Sequence, residues 1–275
     1  MTDYRIEPTG SSPEHIERYA TFLSSVFTDT PKYTPEYLTW QYRDNPRGDV
    51  VGVDAWAGEE LAAHYVTLPV RYRADGEEVP GLLSLNTATH PDHQGKGLFT
   101  RLAEATYQLG AERGYRFVIG VANENSTGGF LKKLGFALLG PLEVKVGLGH
   151  VARDTARPTP LACAWDAPTL AWRLTNPARD YRRHDRTLYT DAGRFGIQAI
   201  VALDKDLDAL PAGRRPLRSV WIGLDPARRL RGLYAGLPDR LRPSPLNAIL
   251  RPLDEGFPSF GTGDVRIELL DFDVY

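Results

Sequence analysis

Apolar positions along this chain change period several times, and each change predicts an element. Tyr4-Arg5-Ile6 reads as a short first strand. Ser12-Pro13 then opens a helix in which Ile16, Tyr19, Leu23 and Val26 recur at helical spacing, a stripe suited to packing on a sheet. Thr30 to Gly48 is rich in aromatics and broken by prolines; Pro35 suits a helix start, and Asn45-Pro46 with Gly48 suits its end. Val51 to Trp56 and Leu61 to Arg73 alternate as strands, and Asp75-Gly76 is a hairpin turn leading into the next one. Leu82 to Thr89 is apolar or β-branched apart from Ser84 and Asn86, as suits a strand largely buried in a sheet. After Gln94-Gly95-Lys96-Gly97 the apolar positions Leu98, Leu102, Ala105, Tyr107 and Leu109 return at helical spacing. Phe117 to Val121 is a second apolar strand, followed by a polar loop that contains Asn123 and Asn125.

The second half is less regular. Gly147 to Pro160, with mixed charge and two prolines, reads as a linker. Beyond it Tyr189, Phe195 to Leu203 and Leu217 to Leu224 read as strands, Pro226 to Leu241 as a basic helix, and Leu246 to Leu250 and Val265 to Val274 as closing strands. Trp172-Arg173-Leu174-Thr175-Asn176-Pro177 resembles Trp40 to Pro46 with a spacing one residue shorter, which suggests an internal repeat.

A glycine-rich turn that opens a helix leaves backbone N–H groups without partners and points the positive end of the helix dipole at them, so Gln94 to Gly97 is a candidate anion cradle. A Walker loop ending at Gly95-Lys96 would need glycine in place of His90 and a hydroxyl residue in place of Gly97. A dinucleotide fingerprint starting at Gly95 fails at Thr100. The ordered set of Gln94, Gly97, the strand-Pro91 lead-in, the Asn123 and Asn125 loop and Leu134-Gly135-Phe136 instead resembles the GNAT acyl-CoA N-acyltransferases. Phe99 departs from the small residue usual in their loop.

That resemblance implies an α/β (α+β) GNAT fold: a mixed, mostly antiparallel, splayed sheet with flanking helices over residues 1–150. Residues 161–275 are expected to be a second, degenerate GNAT-like lobe, in the manner of the tandem enhanced-intracellular-survival acetyltransferases. It also implies acetyl-CoA as co-substrate, held along the main chain of Thr87, Ala88 and Thr89 and at Gln94, Gly95, Lys96, Gly97, Leu98, Phe99 and Thr100, with Asn125 on the pantetheine arm. Tyr33, Tyr37, Trp40 and Tyr42 suit core packing; the resemblance implies instead that the helix carrying Trp40 and Tyr42 forms one wall of the acceptor pocket. Many relatives place a tyrosine in the helix after the asparagine loop as general acid, where this chain has Phe130 and Leu131.

A net charge of −2 gives no bulk electrostatic reason for a nucleic-acid partner. The sole cysteine, Cys163, cannot form an internal disulfide and sits in an apolar patch, as a structural thiol would. No signal sequence or long apolar run is evident, so a cytoplasmic protein without a membrane partner is expected. No metal is expected: His90, Asp92 and His93 could be ligands only by sharing Pro91 and the phosphate turn. The general base is not legible; His64, Tyr65, His90 and the terminal Tyr275 are the candidates. The expectation is an N-acetyltransferase acting on the primary amine of a small molecule such as an amino sugar, an aminoglycoside-like compound or another metabolite. The alternative is a catalytically silent acyl-CoA-binding module.

Overall fold

The computed structural model describes residues 3–157, 159–193, 196–207, 210–238 and 245–272. The first half runs β1 (Arg5–Pro8), α1 (Pro13–Val26), α2 (Pro35–Tyr42), β2 (Val51–Ala57), β3 (Glu60–Ala74), β4 (Glu77–Thr89), α3 (Leu98–Glu112), β5 (Phe117–Ala122), α4 (Glu124–Lys133), β6 (Ala137–Pro141) and β7 (Glu143–Arg153). The second runs β8 (Leu161–Cys163), α5 (Ala167–Leu174), β9 (Tyr181–His184), β10 (Thr187–Asp191), β11 (Gln198–Ala202), β12 (Arg218–Leu224), β13 (Arg228–Gly236), β14 (Asn247–Pro252) and β15 (Val265–Glu268).

Helix starts follow their capping chemistry. Ser12 and Thr34 accept hydrogen bonds from the His15 and Tyr37 amides, and Pro13 and Pro35 occupy the first helical positions, where no N–H is needed. The apolar stripe of α1 buries Ile16, Tyr19 and Leu23 against one face of the sheet, and α3 buries Leu98, Leu102 and Tyr107 on the other. β1 to β4 form an antiparallel meander, and β5 joins β4 in parallel after the α3 crossover.

The two halves exchange strands. β14 lies between β5 and β6, antiparallel to both, while β7 lies between β12 and β13, again antiparallel to both. The parallel pair β4 and β5 has a counterpart in the parallel pair β11 and β12. Between α2 and α5 the relation is reciprocal: the Trp40 and Trp172 rings stack at 4.8 Å, and each indole N–H donates to the other residue's carbonyl at 2.9 Å. Asn45 and Asn176 also match, each accepting a backbone N–H two residues on, from Arg47 and Ala178. Sequence similarity around the two tryptophans therefore corresponds to an approximate two-fold relation. It is incomplete, because among the described residues no helix equivalent to α3 separates β11 from β12.

Three elements differ from the sequence expectation. Residues 143–153 are strand β7 and not a linker; Gly147 and Gly149 are there because the neighbouring strand comes so close that a Cβ on Gly147 would lie 2.1 Å from the Leu233 carbonyl oxygen. Arg228–Gly236 is strand β13 and not a helix, since Arg228, Leu230 and Tyr234 are half-buried at two-residue period against β7. Asn247–Pro252, expected to close the second half, completes the first half's sheet. The ends of three expected segments, at Phe195, Leu241 and Val274, lie outside the described residues. Among those described, no helix is long and apolar enough to cross a membrane.

Candidate active site

β4 and β5 pair only from Leu82–Ser84 to Val118–Gly120. Past Ser84 the two strands part, and the edge of β4 that faced β5 has no ladder partner among the described residues. A cleft of about 500 Å³ opens there, lined by β4 from Ser84 to Thr89, by Phe99, by Asn125 and Phe130 of α4, and by Leu246 and Ile249 from the second half. The equivalent split between β11 and β12 is filled: β15 pairs with Gly223 and Leu224 of β12 on the β11 side, and Glu268 accepts the Leu203 amide.

The open edge is shaped by a bulge. Ala88 pairs with His64 and Leu85 with Val66, so Asn86 and Thr87 together oppose Tyr65. Asn86 has φ +45°, a left-handed conformation that asparagine tolerates better than most residues. Its amide donates to Gln41 Oε1 at 2.6 Å and to Tyr42 Oη at 3.1 Å. Tyr42 Oη lies 2.9 Å from His64 Nε2, His64 Nδ1 lies 2.6 Å from Asp54 Oδ1, and Tyr19 donates to Asp54 Oδ2 at 2.6 Å. With Asn86 donating to Tyr42, the tyrosine proton goes to His64 Nε2, which leaves Nδ1–H for Asp54. Every member of the chain then has a partner. Burial raises the Tyr42 and Tyr19 hydroxyls above the ordinary tyrosine range, and Asp54 raises Tyr19 further, so both stay protonated donors.

The glycine turn is exposed. Gly95 and Gly97 both have φ +74°, and a Cβ on either would meet no atom within 4 Å. Gly97 caps α3 without a side-chain hydrogen bond, and no acidic residue stands in the first turn. The amides of Leu98, Phe99 and Thr100 thus have no intrahelical acceptor, and the Leu98 side chain is buried beneath them. Lys96 folds back, its ammonium donating to the Asp92 carbonyl at 2.9 Å. Phe99 turns to α4, edge-on to Phe130 at 5.3 Å and against Gly129, and so leaves the glycines uncovered.

A family model described as the acetyltransferase (GNAT) domain matches residues 9–139. Residues 9–139 carry a GNAT domain. No curated protein gives a significant sequence match. Solved structures extend the likeness in fold to nearly the whole chain. A protein of unknown function from Enterococcus faecalis V583, described as a probable N-acyltransferase, superimposes with a TM-score of 0.62 at 11% identity, over 92% of this chain and 73% of its own. Eis1 from Mycobacterium abscessus gives 0.54 at 16% identity, over 92% and 74%. Saccharomyces cerevisiae N-myristoyltransferase with bound myristoyl-CoA gives 0.57 at 9% identity, over 91% and 83%.

Of the residues singled out in the sequence of this GNAT domain, Thr87, Ala88, Thr89, Phe99 and Asn125 line the cleft. Gln94 to Gly97 form the exposed turn at the start of α3. The Asn125 side chain makes no hydrogen bond to the described residues, whereas Asn123 spends its side chain capping α4 on the Ser126 amide. Phe130 presents a ring to the cleft where many relatives have tyrosine. Trp40 and Tyr42 do not line it: one is stacked on Trp172 and the other is fully buried in the hydrogen-bonded chain, because α2 is wedged between the halves. His64 is likewise buried away from the cleft. Tyr65 Oη bonds Ser84 Oγ at 2.9 Å and Tyr107 Oη at 2.5 Å; burial pushes it up to about 12, so it acts as a hydrogen-bonding group near neutral pH. His90 sits beside Glu60 and Asp92 outside the cleft, and Tyr275 lies outside the described residues.

Among the described residues that line the cleft, none is ionisable. Sequence reasoning missed the support of Asn86 by Gln41 and Tyr42, although an asparagine in an apolar strand was its visible trace. It also missed Leu246 and Ile249, for which no local signal exists.

Proposed function

We propose that this chain is an acyl-CoA-dependent N-acyltransferase that moves an acetyl group from acetyl-CoA to the primary amine of a small molecule. The observation that carries the reading is the unpaired edge of β4 from Leu85 to Thr89, which runs into the cleft beside the bare amides of Leu98 to Thr100. A pantetheine arm carries amide groups that can pair with such an edge as an added strand, and a diphosphate matches the helix N-terminus. Membership of an acyltransferase family supports the same cofactor class.

In this reading the amine attacks the thioester directly. The oxyanion is met by a backbone N–H near Ala88 or Thr89, and Phe99 and Phe130 keep water from the thioester. Acceptor selection belongs to the mouth formed by Phe27 and Leu246. Residues 1–150 serve as the catalytic GNAT domain and residues 161–275 as a degenerate GNAT-like lobe. Support for that division comes from the matched parallel pairs, the reciprocal tryptophans and the plugging of the second split by β15. The test is calorimetry with acetyl-CoA followed by CoA-thiol release over a panel of small amines. Failure to bind CoA or acetyl-CoA sinks the reading.

A second reading, an acyl-CoA-binding module without turnover, is favoured by Phe130 in the tyrosine's place and by the lack of an ionisable group lining the cleft. Tight acetyl-CoA binding with no thiol release on any amine would select it.

A further inference from the structure

We propose that Glu60, His90 and His93 form a binding site for one divalent transition-metal ion of the zinc class. The proposal is independent of the acyl-transfer reading. One ligand atom from each of the three lies within 4.8 Å of those from the other two, although Glu60 is thirty positions earlier in the sequence than His90. The sequence offered only His90, Asp92 and His93; the antiparallel pairing of β3 with β4 brings in the carboxylate.

The separations are wrong for a closed hydrogen-bonded cluster and suitable for an ion at its centre. His93 Nε2 stands 3.5 Å from Glu60 Oε2, and His90 Nδ1 stands 4.0 Å from Glu60 Oε1, both beyond good hydrogen-bond length. Ligands at ordinary zinc–nitrogen and zinc–oxygen distances in a tetrahedral site stand about 3.3 Å apart. The three groups, now within 4.8 Å of one another, reach that geometry by side-chain rotation of exposed Glu60 and half-buried His90 toward His93. His93 is already oriented: it is buried, and its Nδ1 bonds Tyr4 Oη at 2.8 Å, which turns Nε2 to the carboxylate. That is the outer support metal-binding histidines usually have. The frame is fixed by backbone, with the His90 N–H on the Ala62 carbonyl and the His93 N–H on the His90 carbonyl, both at 2.9 Å. Binding at His90 Nδ1 gives up a long 3.3 Å contact from the Asp92 amide. Asp92, whose carboxylate is 3.8 Å from the same nitrogen, or water supplies the fourth position. Two imidazoles and a carboxylate select zinc-like ions over magnesium. The ion would clip the start of β3 to the segment that leads into the glycine turn.

The test uses the full chain stripped with chelator, titrated with zinc chloride by calorimetry and with cobalt chloride by visible absorption. One equivalent is expected to bind, with the intense bands of four-coordinate cobalt, while magnesium gives no heat. Glu60→Gln and His90→Ala change exposed or half-buried side chains and leave the fold intact by circular dichroism; each is expected to weaken binding by about tenfold or more, and Tyr4→Phe by about tenfold. No binding at millimolar zinc, cobalt bound only with the weak spectrum of the hydrated ion, or equal affinity in Glu60→Gln, His90→Ala and the parent would each overturn the proposal.

Discussion

Asn86 is the position at which backbone shape and buried hydrogen bonding can be separated by two substitutions. Asn86→Ala removes the donors to Gln41 Oε1 and Tyr42 Oη and places a Cβ residue without a polar side chain at φ +45°. Two lost hydrogen bonds cost about 0.5–1.5 kcal/mol each, and the left-handed conformation adds about 1–2 kcal/mol. The sum is about 2–5 kcal/mol. Asn86→Gly loses the same donors but accepts the conformation, so it should be milder by about 1 kcal/mol. Urea unfolding followed by circular dichroism measures both, and unchanged slopes are required for the comparison to hold. If the bulge aims the Thr87 to Thr89 amides at the thioester, kcat falls in both variants, more in alanine, while KM for the amine stays near the parent value. Stabilities within about 0.5 kcal/mol of the parent, the range of neutral surface changes, would refute the energetic argument. Equal damage in the two variants would show that the conformation of residue 86 is not what the network protects.

Gly97→Ala puts a side chain into the left-handed cap of α3 at the open turn, and CoA affinity measured by calorimetry should fall by about tenfold, the effect of roughly 1.4 kcal/mol. Trp172→Ala removes one ring of the inter-half stack and the indole hydrogen bond to the Trp40 carbonyl; a loss of about 3 kcal/mol is expected in urea unfolding, and a loss below about 1 kcal/mol would show the stack to be incidental. Asp271 is buried beside Glu268, and burial first, then that repulsion, raises its carboxyl above the ordinary 3.8. The folded chain therefore holds this proton more tightly than the unfolded chain, so the group's stabilising contribution is complete below 3.8 and is lost as pH rises through the folded value. Asp271→Asn should gain stability relative to the parent as pH rises through that window, and a difference independent of pH would contradict the assignment.

The first half was legible because its signals are local. Proline and hydroxyl caps mark α1 and α2, Asp75-Gly76 marks the hairpin, and Gly97 followed by helical periodicity marks α3. The chain from β7 onward was less so because its glycines have a different cause: Gly147 and Gly149 permit close strand approach, yet in sequence they look like flexible linker residues. The Arg228 to Gly236 run carries charge on both faces of a strand with one neighbouring strand, which hides the two-residue period. At the site, motif order singled out residues that line the cleft and form the turn beside it, whereas Trp40 and Tyr42 suit core packing and a pocket wall alike in sequence, and they stand off the cleft in the wedge between the halves. The convergence of Glu60 on His90 and His93 depends on a hairpin register that no short window contains.

The placement of β14 has a temporal consequence for biosynthesis. Its residues 247–252 occupy the gap between β5 and β6, so a nascent chain that has exposed only the first 150 residues presents two strand edges with nothing between them. The cleft wall at Leu246 and Ile249 is missing for the same interval. A cleft with this wall in place is therefore complete only after residue 252 has left the ribosome, and a gene fragment cut after the matched family region should yield an aggregating product.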